Sequence, residues 1–190
     1  MSYQVIVGFD VSMSMQSAHN GSTRLAVAKE LAGGIIDVAC QMDPDGPELF
    51  TFGQGVKSRG TVTVAEAKAV LAGITATDPR TDTGAFLTEA FKLARKKNAD
   101  GDQALIIVIT DGDASDRDVV ERQIVSMTKD MTEDGQCAVE FISVGNAADA
   151  WLTRLDDDLK AAAFDIVDAT PIEEAVKLGL EGLYNKAFSD

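Results

Sequence analysis

The sequence predicts an α/β sandwich with a largely parallel sheet. Segments rich in aliphatic and β-branched residues alternate with segments of helical periodicity. Two of the strand segments, 5–9 and 103–110, are apolar almost without interruption, as strands buried on both faces are. Both run directly into a carboxylate, Asp10 and Asp111. In open α/β sheets ligands bind beyond the carboxyl ends of the strands, where the strand order reverses. Asp10 and Asp111 therefore mark the expected position of a site.

The first strand, Val5-Ile6-Val7-Gly8-Phe9, is followed by Asp10, Ser12 and Ser14. Residues two apart in an extended segment point the same way, so these three can turn their oxygens towards one point. One carboxylate and two neutral hydroxyls suit neither an anion nor an imidazole. They form a good partial shell for a hard divalent cation, which takes oxygen ligands and retains several waters. A polar loop through Gly21 follows, and then a helix over 24–42 capped by Ser22 or Thr23. Leu25, Ala28, Leu31, Ala32, Ile35 and Ile36 form its inward face, and Gly33-Gly34 would permit a close approach to the sheet. The turn 43–47 ends it. A short strand at 48–52 comes next, then an irregular or edge strand at 56–62 and an Ala-rich helix over 64–71 that closes near Gly73.

The polar loop 77–84 leads into a helix over 85–97, with Phe86, Leu87, Ala90, Phe91 and Ala94 inward. The second buried strand ends in Thr110-Asp111-Gly112-Asp113. A helix over 117–131 follows, with Asp116 or Ser115 as its cap, then a strand at 137–144 and a short helix around Trp151, Leu152 and Leu155. A last strand at 164–167 and a terminal helix over 171–187, with Pro171 in its first turn, complete the chain. There is no internal repeat, low-complexity tract or linker, and 190 residues suit one domain over 1–190.

Seventeen Lys and Arg against thirty-one Asp and Glu leave a net charge of −14. Such a chain gains nothing from phosphate-backbone electrostatics, which argues against nucleic acid as a partner; the surplus serves solubility. No apolar run reaches the length of a membrane span. The first residues lack the basic region and apolar core of a signal peptide, so a cytoplasmic protein is expected. Cys40 and Cys137 show no metal spacing and read as reduced, buried and inert. The lone His19, with no second His and no Cys ligand nearby, reads as a solvated loop residue rather than a zinc ligand. Asp113, Asp116 and Asp118 crowd one loop, where helix capping explains them better than a second cation. Asp156-Asp157-Asp158 reads as a solvated turn, because consecutive residues seldom converge on one ion. Trp151 is a contact residue if exposed and a packing residue if buried.

The spacing Asp10-x-Ser12-x-Ser14 after a hydrophobic first strand resembles the metal-ion-dependent adhesion site of von Willebrand factor type A (vWA) domains. Thr81-Asp82-Thr83-Gly84 and Ile109-Thr110-Asp111-Gly112 resemble that site's second and third loops. The resemblance implies a Rossmann-like, doubly wound, mostly parallel sheet flanked by helices, with the first and fourth strands adjacent at the reversal. It also implies the metal ligands Asp10, Ser12, Ser14, Thr81 and Asp111, with Thr83 in support or as the alternative loop ligand. Met13 stands where many members carry glycine, at a rim position where it would meet a partner. Phe141–Asn146 and Leu155–Leu159 resemble the late strand and following loop of intracellular microbial stand-alone vWA proteins.

What the resemblance implies for function is a magnesium-dependent protein-interaction module, with Mn2+ or Ca2+ as alternative ions, and not an enzyme. An Asp or Glu of the partner protein would replace a water on the cation. By family analogy the partner is an AAA+ ATPase of the chaperone type or a component of a stress-response or surface-assembly system. Two other readings compete. A haloacid-dehalogenase-like magnesium-dependent phosphohydrolase would use Asp10 as nucleophile, but the acid expected two residues later is Ser12, and no lysine stands ready for the phosphoryl group. A metal-free structural vWA subunit would have no need of five ligand-type residues together. No P-loop or Gly-x-Ser-x-Gly elbow is present.

Overall fold

A computed structural model describes residues 3–43, 45–112, 114–145, 150–157 and 159–188. In chain order the elements are β1 (Tyr3–Asp10), a 3-10 turn (Met13–Gln16), β2 (Ala18–His19), β3 (Ser22–Thr23), α1 (Arg24–Met42), β4 (Glu48–Gly53), β5 (Gly55–Thr61) and α2 (Val64–Gly73). There follow α3 (Thr83–Ala99), β6 (Gln103–Thr110), α4 (Arg117–Asp130), β7 (Cys137–Ser143), α5 (Ala150–Asp157), β8 (Val167–Pro171) and α6 (Ile172–Ala187).

Six strands form the central sheet in the order β5-β4-β1-β6-β7-β8, all parallel except β5, which runs antiparallel to β4 at the edge. The chain winds outward from β1 through β4 to β5, returns to β6, and winds outward again to β8. The order therefore reverses between β1 and β6. Their register sets Phe9 opposite Ile109, which brings Asp10 beside Thr110.

Side-chain alternation divides the core in two. Val5, Val7, Phe9, Leu105, Ile107 and Ile109 pack with α1, α2 and α6. Ile6, Phe50, Phe52, Ile106, Val108 and Phe141 pack with α3, α4 and α5. A strand buried on both faces needs apolar residues at every position, and this is why β1 and β6 lack a polar alternation. Gly8 faces the second layer. A β-carbon there would stand 2.8 Å from Phe86 Cδ1, so glycine lets the Phe86 ring lie on the strand. That ring stacks on Phe52 with centroids 5.2 Å apart.

Helix α1 and strand β6 form with the expected bounds, and Thr23 caps α1 by accepting from the Ala26 amide at 3.2 Å. Several expectations are corrected. The last strand pairs over Val167–Pro171 instead of 164–167, and Pro171 ends that strand rather than opening the helix. The polar residues that disguised it, Asp168 and Thr170, are buried because Lys186 of α6 reaches both at 3.0 Å. Helix α6 is broken at Gly179 (φ 61°). Gly33 and Gly34 make no close approach to the sheet, since a β-carbon at Gly33 would touch only Leu71, at 3.8 Å, and one at Gly34 nothing.

The loop after the 3-10 turn is a small hairpin, β2–β3, turned by Asn20 and Gly21, both at positive φ (48° and 82°). His19 is not solvated: its side chain is 10% exposed, with Nε2 3.1 Å from Glu173 Oε1 of α6. Both cysteines are free, but Cys40 is only half-buried, and burial pushes the Cys137 thiol up to about 12. Trp151 is buried, edge-on to Phe141 and beneath Arg117, which makes it a packing residue. Asp156 is tied into the fold by accepting from the Ala169 amide at 3.2 Å, while Asp118 pairs with Arg122 on the surface of α4. Asp113, Asn146 and Asp158 lie outside the described residues. Among the described residues no helix is long and apolar enough to cross a membrane.

Candidate metal centre

Asp10 ends β1 with no exposed surface, and each of its oxygens has a donor. Oδ1 accepts from the Ser12 amide at 2.8 Å, and Oδ2 accepts from the Thr110 hydroxyl at 2.7 Å. The Ser12 and Ser14 hydroxyls lie 2.9 Å apart, with Ser14 inside the 3-10 turn and not in the extended segment that the alternating spacing suggested. Met15 is fully buried and anchors the 3-10 turn, which turns its neighbour Met13 outward at 55% exposure.

The second loop is fastened on both sides. Ser12 forms a parallel bridge with Asp78, and the Met13 amide donates to the Asp78 carbonyl at 2.8 Å. Thr81 is buried; its amide donates to Ser115 Oγ at 3.0 Å while the Ser115 amide donates to its carbonyl at 2.9 Å. Helix α3 begins at Thr83, two residues earlier than the periodicity suggests, because the start is held from outside the helix. The Asp116 carboxylate accepts from the Gly84 amide at 3.0 Å, so Asp116 supports α3 and makes no side-chain cap on its own α4. Ser115, the other expected cap, serves Thr81. The Thr83 hydroxyl is buried without a hydrogen-bond partner.

Asp111 follows β6 and is 6% exposed. Its Oδ2 accepts from Arg24 Nη1, the first residue of α1, at 2.8 Å. Thr110 links the two acidic strand ends: its hydroxyl donates to Asp10 and accepts from the Gly112 amide at 3.2 Å. Burial raises the Asp10 carboxyl to about 6; the bonds from Ser12 and Thr110 offset part of this, and the negative charge of Asp111 adds to it. Two residues of this network, Thr110 and Arg24, were not among those expected. Thr110 was visible as the hydroxyl before the third-loop carboxylate. Arg24 carried a weaker signal, a cation in the first turn of a helix, where the dipole disfavours it.

The family model of the vWA domain found in the TerF C terminus matches residues 2–190. The chain belongs to this vWA family. Solved structures agree on the fold. The SpRpn10 vWA domain superposes with a TM-score of 0.70 at 16% identity, covering 96% of this chain and 97% of that one. A von Willebrand factor type A protein from Catenulispora acidiphila matches with a TM-score of 0.68 at 19% identity, over 98% of this chain and 42% of that one. The manganese-loaded TRAP protein of Plasmodium vivax matches with a TM-score of 0.64 at 15% identity, over 93% and 71%. No curated protein matches. The central, mostly parallel six-stranded sheet flanked by helices is the vWA fold, and vWA domains are in general interaction modules rather than enzymes.

The donor set of this vWA domain suits a hard cation. Asp10 and Asp111 bring two carboxylates to the ends of adjacent strands, Ser12 and Ser14 bring hydroxyls, Thr81 is buried in the second loop, and the Thr83 hydroxyl beside it lacks a partner among the described residues. All are oxygen donors, the chemistry that a hard cation takes. Among the described residues no three His, Cys, Asp or Glu side chains form a metal cage, so any ion here would depend on hydroxyls and water.

Proposed function

We propose that this vWA domain is a divalent-cation-dependent protein-interaction module, with Asp10, Ser12, Ser14, Thr81 and Asp111 as the residues that hold the ion. Magnesium fits a set with two carboxylates best, because it keeps several waters; manganese and calcium have the same ligand preference. The observation that carries the reading is the buried Asp10–Thr110 bond at the switch point of the sheet, joined to the Ser12–Ser14 pair and to Asp111. The two carboxylates of the domain only balance the charge of the cation, and the neutral hydroxyls and waters of the remaining shell leave it a Lewis acid with a water that one further anionic ligand can replace. A partner's Asp or Glu would supply it, with the exposed Met13 at the rim as a contact. By family analogy we favour an AAA+ ATPase as the partner and the cytoplasm as the location; the two free thiols suit a reducing compartment.

A phosphohydrolase is disfavoured by Ser12. Its hydroxyl is engaged with Ser14 and cannot protonate a leaving group near neutral pH. The test is calorimetric titration of magnesium into the chelator-stripped protein, with Ser12→Ala alongside, in the presence of glutamate. The wild type is expected to bind and Ser12→Ala to fail. Equal binding by both would remove the hydroxyl from the ligand set and with it the adhesion-site reading.

A further inference from the structure

Arg24 occupies a position that helix energetics disfavours. It is the first residue of α1, directly after the capping Thr23, where the positive end of the helix dipole repels a cation. It is nevertheless held firmly. Nη1 donates to Asp111 Oδ2 at 2.8 Å, the Arg24 side chain is 21% exposed, and that of Asp111 only 2%. Nε is buried and has no hydrogen-bond partner among the described residues. On the other side lies Gly145, just past β7, with φ 101°; a β-carbon there would stand 2.9 Å from the guanidinium carbon. Three elements thus converge to hold one guanidinium against a carboxylate of the site: the start of α1, the end of β6 and the end of β7.

We infer that Arg24 is an internal counter-cation that competes with the divalent ion for Asp111. The inference rests on the metal reading of the site. In the metal-free protein the guanidinium neutralises Asp111 and spares the site the repulsion between its two carboxylates. A divalent ion binding through Asp111 meets this fixed positive charge at close range, in a poorly screened environment, and must displace it from the carboxylate. Arg24 therefore weakens binding of the bare ion. With the ion in place these groups carry two positive charges from the metal, two negative from Asp10 and Asp111, and one positive from Arg24. That surplus favours an anion, so Arg24 couples metal binding to arrival of a carboxylate.

The experiment is calorimetric titration of magnesium chloride into the chelator-stripped full chain, for the wild type, Arg24→Gln and Arg24→Lys, with and without glutamate. Arg24→Gln is expected to bind the bare ion about ten-fold more tightly than the wild type and to lose most of the enhancement by glutamate. Arg24→Lys, which keeps the charge, is expected to stay close to the wild type. Unchanged or weaker binding by Arg24→Gln, beside a wild type that does bind, overturns the inference and leaves the metal reading standing. No heat in any of the three overturns the metal reading and the inference together. A second measurement needs no variant. The Arg24 Nε proton, buried without magnesium, is expected to exchange with water faster at saturating magnesium; unchanged exchange in a protein that binds the ion overturns the inference.

Discussion

The Thr110 hydroxyl lies 2.7 Å from Oδ2 of Asp10 and joins residues one hundred positions apart across the ends of two neighbouring strands. It ties the first-loop carboxylate to the strand bearing the third loop. Thr110→Val keeps the shape and removes the donor, leaving a buried carboxylate oxygen short of one bond. A loss of about 1–3 kcal/mol is expected in chelator-treated protein, with weaker magnesium binding, while Thr110→Ser retains most of both. Urea unfolding with and without chelator checks this; a Thr110→Val protein as stable as the wild type would sink it.

Thr81 and Thr83 are separable. The Thr83 hydroxyl is buried and unpartnered, so Thr83→Val is expected to leave the metal-free protein as stable or to raise its stability by about 1 kcal/mol. Thr81→Val is expected to lose magnesium binding, with Thr83→Val retaining it. The opposite pattern in calorimetry would assign the loop ligand to Thr83.

Gly8→Ala places a methyl group 2.8 Å from the Phe86 ring at Cδ1, in a layer where that ring is already stacked on Phe52. Overpacking of this kind costs about 1–3 kcal/mol. The loss is expected to shrink when Phe86→Leu is combined with it, relative to the sum of the two single losses. Simple additivity in thermal unfolding would show that the ring is not what the methyl meets.

Glu140 lies fully buried on β7. Burial pushes its carboxyl up to about 8; the Thr170 hydroxyl and the Lys186 ammonium offset part of this, and Asp168 and Asp156 add to it. Between the ordinary value of 4.5 and about 8 the folded chain keeps a proton that the unfolded chain has released. Stability from this group therefore falls as pH rises through that window and levels off above it. Asp10, raised to about 6, has the same sign over a lower range, so the interval from about 6 to 8 reports Glu140. Glu140→Gln is expected to flatten the loss over that interval and to exceed the wild type in stability at its upper end. Urea midpoints measured across it decide; an identical slope in both proteins would assign the dependence to another group.

The parts of the fold legible in the sequence were those with strong periodicity. Helix α1 carries an apolar face of helical period and strand β6 an uninterrupted apolar run, and their bounds follow directly. Strand β8 did not, because Asp168 and Thr170 interrupt its apolar run and become compatible with burial only through Lys186. The α3 start moved because Asp116, thirty-two residues beyond Gly84, holds its first turn. His19 was misplaced for the same reason, since Glu173 lies in the last helix.

By itself the sequence determined the alternation of strand and helix, the two strands buried on both faces, and the carboxylates Asp10 and Asp111 at the ends of those strands. These are local properties, set by a period of two or 3.6 residues and by the chemistry of short side chains. Tertiary structure alone decided that Thr110 would bond Asp10, that Ser115 and Asp116 would hold the second loop, and that Arg24 would lie on Asp111. Those contacts join residues far apart in the chain, and their geometry is fixed only when strand order and register bring the ends of β1 and β6 together.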